Sequence, residues 1–379
     1  MKILFWFSFI LIIMVYLGYP LFLFLLTIFK KNPAKKGEIN PFITLIIPAH
    51  NEEKVIDDKL RNTLALNYQK DRLEIIVISD CSSDKTDEIV KQYVTQNVKL
   101  IIQNERKGKM AALNRVVPNA KGEIIVFSDA NTMFDKYALK NLVRNFNDEK
   151  VGCVAGNSRY AFRDGLSVQL GGVSYTAYER ILWNLESQLQ SLLVVHGGIY
   201  ALRKSLFSPV DEAFADDFVN PLRVAAQGYG VVYEPEAKAV ENVAKVSKEE
   251  FNRKVRVISQ GYIAFVHMLK VILSCDFIRI IQYIVHKFLR WLVPLFLITL
   301  LISNLFLLGS RFYSSFFALQ IIFYLFAILG YWLQEKKSKI KIFYIPFYFC
   351  LINMASLFGL FAAINGKQTG IWEKAETTR

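Results

Sequence analysis

The hydrophobic pattern divides the chain into regions of different texture. Residues 3–29 form an apolar run with no charged side chain, longer than the roughly 20 residues a membrane-spanning helix needs. Three comparable runs close the chain, at residues 291–308, 312–333 and 343–364. Between about residues 39 and 257 no such run occurs. Short β-branched runs at 43–47, 74–79, 98–102 and 124–128 alternate there with helix-length segments, the pattern of βα units building an α/β domain around a mostly parallel, open sheet. Ligands of such sheets bind beyond the carboxyl ends of the strands.

Flanking charges orient the frame. Lys30, Lys31, Lys35 and Lys36 follow the first run, whereas only Lys2 precedes it, so the positive-inside bias puts the next domain in the cytoplasm. A cleaved signal peptide would have a shorter apolar core and a small-residue cleavage site; this run reads as an anchor. Residues 277–290 are apolar yet carry Arg279, His286, Lys287 and Arg290 at helical spacing. They fit a helix lying in the membrane interface, or an amphipathic helix packed on the soluble domain. The run 343–364 contains Pro346, Asn353, Ser356 and Gly359, which leaves it open between a span and a re-entrant segment. The expected organisation is an anchor and basic linker over 1–36, a cytoplasmic domain over 37–261, interfacial helices over 262–290, and membrane helices with a tail over 291–379. Such a chain is a multi-pass protein of the cell membrane.

Apolar residues make up 53% of the chain and the formal charge is +13. The first excludes disorder. The second points to nucleic acid, anionic lipid or phosphate-bearing substrates. A nucleic-acid binder would carry a basic stripe with interleaved aromatics. Many lysines here instead flank apolar runs, where attraction to anionic lipid accounts for them, so no nucleic-acid partner is expected. Cys81, Cys153, Cys275 and Cys350 form no C-x-x-C pair, which gives neither a zinc site nor a disulfide framework.

Three of the strand ends carry unusual chemistry. Pro48-Ala49-His50-Asn51-Glu52-Glu53 follows the first strand, Asp80-Cys81-Ser82-Ser83-Asp84-Lys85-Thr86 the second, and Asp129-Ala130-Asn131-Thr132 the fourth. Each alone is explained by capping and tight turns. Together, on consecutive edges of one sheet, they build an acidic, amide-rich cleft suited to a metal and a nucleotide.

These segments, with ERKGKMAALNRVVPNAKGEIIVFSDANT and ADDFVNPLRVAAQGYGVVYEPEA, resemble the successive motifs of family 2 glycosyltransferases with the GT-A fold. The membrane frame resembles that of the family's polysaccharide synthases. The likeness runs from about Phe42 to Gly261. It implies that Glu52 and Asp80, with Pro48 and His50 beside them, hold the uracil and ribose of a UDP-sugar. Carboxylates accept well from imide N–H groups and hydroxyls. The family's Asp-x-Asp metal motif is here Asp129-Ala130-Asn131, one negative charge short. Its amide oxygen remains a ligand for Mg2+ or Mn2+, and a divalent cation is the implied cofactor. Lys109 resembles the family's basic residue close to the nucleotide.

In the same resemblance, Asp217 of Asp216-Asp217 takes the place of the general base. An inverting transfer needs a carboxylate to receive the acceptor hydroxyl's proton. Asp216 serves equally well as support for a helix amino terminus. His196 and Gly197 stand in an acceptor-side segment with Gly198, and Gly197 and Gly198 would let a sugar approach the backbone. The processive members' Gln-x-x-Arg-Trp appears as Arg253-Lys254-Val255-Arg256-Val257. Arg256 keeps the arginine position, offsetting diphosphate charge, but the aromatic platform is absent; a basic face against lipid headgroups explains the same residues. Trp372 and Arg379 resemble a gating tail that folds over the nucleotide, which requires that tail to be cytoplasmic.

The expected activity is transfer of a sugar from a UDP-sugar to a growing surface polysaccharide or other glycan acceptor, with membrane lipid as a partner. Two alternatives remain: transfer of a single sugar to a polyprenyl phosphate lipid, and a non-catalytic transporter or binding module. Against the latter, the apolar runs lack the internal charges of a translocation pathway.

Overall fold

The structure, a computed structural model, describes residues 1–161, 167–242, 247–333 and 341–366. The four expected strands form as β1 (Ile43–Ala49), β2 (Leu73–Asp80), β3 (Val98–Gln103) and β4 (Ile124–Phe127). They pair in parallel in the order β3-β2-β1-β4. Every residue of β1 and β2 is buried, as strands covered on both faces require. Pleating sends Ile46, Ile76, Ile78 and Phe127 into one core layer and Leu45, Ile47, Ile75 and Val77 into the other.

Four further strands, β5 (Met133–Phe134), β6 (Val151–Ala161), β7 (Tyr200–Arg203) and β8 (Gly230–Asn242), extend the sheet from β4 in the order β7-β6-β8-β5. The β4–β7, β6–β7 and β5–β8 pairs are antiparallel and β6–β8 is parallel. The sheet is therefore mixed, with parallel pairing throughout its first half. Strand β1 lies between β2 and β4, where chain order reverses, and this opens a crevice beyond the carboxyl ends of the strands.

Four helices, Lys2–Lys30, Phe277–Leu305, Arg311–Trp332 and Ile342–Ile364, are long and apolar enough to cross a membrane. Residues 277–290 do not form a separate interfacial helix. They begin the continuous Phe277–Leu305 helix, which passes through a π-helical turn at Tyr283–Leu289. The charges of this segment turn into the protein: Arg279 donates to the carbonyls of Gln190 (2.8 Å), Tyr229 (2.9 Å) and Ala225 (3.3 Å). His286 Nδ1 lies 2.7 Å from Glu186 Oε1. Packing against the α/β domain is thus what allows charges in so apolar a stretch.

The polar residues of the last run have a similar cause. Lys341–Ile364 is one helix despite Pro346. Tyr348 donates to Glu250 Oε1 (3.2 Å) and Ser356 to the Trp291 carbonyl (2.7 Å). The first span is fixed to the domain by Tyr19, whose hydroxyl donates to Glu186 Oε1 at 2.5 Å. Near its other end the Phe5 ring meets Tyr313 and Phe316 edge-on, with centroids 5.0 and 5.2 Å away. Trp372 and Arg379 lie outside the described residues.

Candidate active site

The carboxyl ends of β1 and β2 are tied to each other. Asn51 and Cys81 adopt positive φ, 53° and 57°, and turn the chain sharply there. His50 Nδ1 lies 2.7 Å from the Asp80 carbonyl oxygen, Ser83 N donates to Asn51 Oδ1 (2.7 Å), and Glu52 N donates to Thr86 Oγ1 (2.7 Å). Pro48, His50, Glu52 and Asp80 thereby share one sheet edge, with Glu52 2% and Asp80 6% exposed. The Asp80 carboxylate accepts from Gln103 Nε2 (2.9 Å), Lys107 N (2.9 Å) and Gly108 N (2.8 Å). Three of the roughly four acceptor positions of a carboxylate are spent on the approach to the Lys109–Val116 helix. Gly108, at φ 89°, makes a turn that side-chain-bearing residues resist.

That turn aims Lys109 at the centre of the site. Its Nζ donates to Asp129 Oδ1 (2.8 Å) and the Gly197 carbonyl (3.3 Å), and stands 3.2 Å from Asp216 Oδ1. Burial opposes the charge on Lys109, but Asp129, Asp216 and Asp217 outweigh it and hold its pKa above the ordinary lysine value. Asp216 is also an acceptor for the buried Tyr200 hydroxyl (2.8 Å), which in turn accepts from Asn220 (2.9 Å). This chain of bonds fixes the first turn of the Asp216–Ala226 helix.

Asp217, the next residue, has a different environment. Burial and the neighbouring Asp216 push its carboxyl up to about 6, against the pull of Lys109 and His196. Val195 N donates to the Asp217 carbonyl (3.0 Å), which brings the His196-Gly197 segment alongside. A Cβ on Gly197 would stand 3.4 Å from Lys109 Nζ and 3.5 Å from Asp217 Oδ2. His196 Nδ1 accepts from Gly198 N (3.3 Å) and lies 3.5 Å from Glu241 Oε1.

Two residues here were not singled out from the sequence. Glu241, on β8, accepts from Thr132 Oγ1 (3.0 Å) and Ser158 Oγ (3.1 Å), joining the two halves of the sheet behind Gly198. Lys59 is 0% exposed. Its ammonium donates to Ser128 Oγ (2.7 Å) and to the Thr132 carbonyl, and lies over the Phe134 ring, 4.1 Å from its centroid. Burial lowers its pKa to about 7, with Asp129 and Glu241 acting the other way. Lys59 thus clasps both ends of the Asp129-Ala130-Asn131 segment from beneath. A lysine on the stripe set by Ile56, Leu60 and Thr63 was the available signal.

A cavity of about 410 Å³ opens over this cluster. Of the expected residues, Lys109, Asp129, His196, Gly197, Asp216 and Asp217 line it, as does Arg256. The β1–β2 edge and Asn131 stand outside that lining. Arg253 and Lys254 line the cavity too, so this basic segment faces the site. Tyr175, Trp183 and Tyr348 supply aromatic walls that Val257 does not.

Among the described residues, no three His, Cys, Asp or Glu side chains gather as a metal cluster. Asp129 nevertheless faces the cavity, with Lys109 against one of its oxygens. One carboxylate is a suitable donor set for Mg2+ or Mn2+ when a substrate diphosphate supplies further oxygens. The residues fit an ion shared with a donor.

Residues 44–208 match the family described as Glycosyl transferase family 2. The chain is 28% identical over 313 residues to the "Probable glycosyltransferase YdaM" of Bacillus subtilis (strain 168), covering 80% of this chain and 74% of that protein. It is 27% identical over 238 residues to the "Poly-beta-1,6-N-acetyl-D-glucosamine synthase" of Staphylococcus aureus (strain COL), covering 60% of this chain and 57% of the synthase's own length. The fold is similar to that of the mannosyltransferase PcManGT from Pyrobaculum calidifontis, solved in complex with GDP-Man and Mn2+. The TM-score is 0.72 at 22% identity, over 96% of this chain and 100% of that one. The mixed sheet, the acidic crevice at its reversal point and these likenesses converge: the chain has the GT-A fold, and its residues 44–208, which match the family 2 glycosyltransferases, mark it as a glycosyltransferase enzyme.

Proposed function

We propose that the chain transfers a sugar, with inversion, from a UDP-sugar to a hydroxyl of a glycan or lipid-linked acceptor at a membrane, with the α/β domain on the cytoplasmic side. The observation that carries this reading is Asp217. A carboxylate near pKa 6 is largely ionised at neutral pH yet basic enough to take a proton in the transition state. As the acceptor oxygen bonds to the anomeric carbon, the bond from that carbon to the diphosphate oxygen breaks. The hydroxyl proton passes to Asp217, and UDP leaves with the electron pair.

The other expected residues find roles around this step. Glu52, Asp80, Pro48 and His50 form the nucleotide edge, with Asp80 acting largely by setting the loop that aims Lys109. Lys109 and Arg256 offset the diphosphate charge, the electrostatic support a departing phosphate needs. Lys109 also pairs with Asp216 beside Asp217. Asp129, with Asn131, would hold Mg2+ or Mn2+ against the diphosphate, and the ion would neutralise charge on the leaving group. His196 and Gly197 border the acceptor.

The test is incubation of the detergent-purified protein with a panel of UDP- and GDP-sugars, with and without Mg2+ or Mn2+, following nucleoside diphosphate release and product mass. Metal-dependent release from a UDP-sugar, reduced about 10²- to 10⁴-fold by Asp217→Asn with UDP affinity retained, is the expected result. Normal turnover in Asp217→Asn would remove the base assignment, and release from GDP-sugars alone would remove the uridine assignment.

A further inference from the structure

A second cavity, of about 180 Å³, lies on the membrane side of Asp217. It shares Tyr175, Val194, Val195, Ala215, Asp217 and Lys254 with the larger cavity. The first, second and last membrane helices supply further walls, through Tyr16, Lys287, Arg290 and Asn353 among others, and Phe218, Ile258 and Gly261 of the domain side close it. Both π-helical turns among the described residues, Met14–Gly18 and Tyr283–Leu289, contribute to it, the first with Tyr16 and the second with His286 and Lys287. Such turns leave the regular backbone ladder and cluster at functional sites.

Three cations and one carboxylate, Asp217, line this cavity. Surrounding acids answer the cations only in part. Glu179 takes Arg290 Nη1 at 2.5 Å, and Tyr16, Tyr175 and Tyr178 pack around the guanidinium at 5.7, 5.2 and 5.4 Å. Arg290 Nη2 is buried, on a side chain 10% exposed, without a hydrogen-bond partner among the described residues. Glu250 is held by Arg253 at 2.9 Å and stands 3.9 Å from Lys254. Glu186 is engaged by Tyr19 and His286. For Lys287 no ion pair forms among the described residues. Cations withdrawn from water without full partners are costly, and an anion in the cavity removes that cost.

Resting on the reading of Asp217 as the base, we propose that this cavity seats the phosphate of a lipid acceptor. Lys254, Lys287 and Arg290 hold a phosphate or diphosphate ester whose hydrocarbon chain lies among the membrane helices. The hydroxyl-bearing part of the acceptor reaches Asp217 through the shared wall. The phosphate is a handle and not the nucleophile: held by three cations it is fully ionised and offers no proton, so the proton Asp217 takes comes from a hydroxyl. The cavity has room for a headgroup and no polymer, and charge-assisted bonds to three donors give it selectivity.

The test uses the full chain in detergent, saturated with UDP, and follows its melting temperature on titration with farnesyl diphosphate, farnesol or inorganic diphosphate. Farnesyl diphosphate is expected to raise the melting temperature saturably, and the other two to do so far less. Lys254→Ala and Lys287→Ala should each weaken farnesyl diphosphate about tenfold or more, with Lys287→Arg close to wild type. UDP affinity, measured separately, should change less than about twofold in the two Lys287 variants, which also reports that they fold. Equal response to farnesol, equal response to inorganic diphosphate, undiminished binding in both alanine variants, or displacement by UDP would each overturn the proposal. Failure of UDP itself to bind the wild-type chain would instead remove the proposed donor, and leaves the lipid titration readable on its own.

Discussion

Adjacent residues in this site carry opposite assignments because their neighbours differ. Asp216 is spoken for by Lys109 and Tyr200, while Asp217 is pushed up to about 6 by burial and by Asp216 itself. A base must be deprotonated to work, so kcat/KM should climb about tenfold per pH unit below 6 and level off above it. A rate–pH profile of the wild-type enzyme checks this, and a flat profile between pH 5 and 7 would contradict it. Lys59 allows a second expectation. Lys59→Met keeps the bulk but leaves the Thr132 carbonyl and Ser128 without their donor. The cost is about 1–3 kcal/mol in denaturant melts, together with weaker use of the divalent cation, read from a metal titration of activity.

At the scale of elements, the glycines of the 196–198 segment separate two kinds of crowding. A Cβ on Gly197 meets Lys109 and Asp217 at ordinary contact distance. Gly197→Ala should therefore melt close to wild type yet lose turnover, since the methyl occupies space beside Asp217, the proposed base. A Cβ on Gly198 collides with Glu241 and Thr132, so Gly198→Ala should lower the melting temperature as well. The parallel half of the sheet was legible because β1 to β4 are β-branched runs buried on both faces, and the motifs at their ends could be placed in order. Strands β6 and β8 were not, for their pairing is fixed by contacts distant in sequence, such as those between Val154 and Val232 or Ser158 and Ala239. Glu241 was lost with β8. The charges of 277–290 read as interfacial because no local pattern reveals that Arg279 finds its carbonyl partners 50 to 89 positions away.

Across the whole molecule, domain and membrane helices share one interior. Tyr283 donates to the Leu193 carbonyl (3.1 Å), Gln282 to Ser191 Oγ (3.0 Å), and Arg279 to three further domain carbonyls. A chain ending at residue 275 would lose those bonds and expose the apolar domain surface that Tyr283, Phe288 and Trp291 cover. It should aggregate on purification, whereas the full chain should remain monodisperse in detergent; size-exclusion profiles decide between them. The position of Asp217 in the wall between two cavities has a further consequence. With the proposed donor and lipid acceptor, the sugar arrives from water and the hydroxyl from oil, so neither reactant must thread past the other. On that proposal a spent nucleotide can diffuse off while the lengthened lipid stays behind, and the two cavities would set the order in which the products depart.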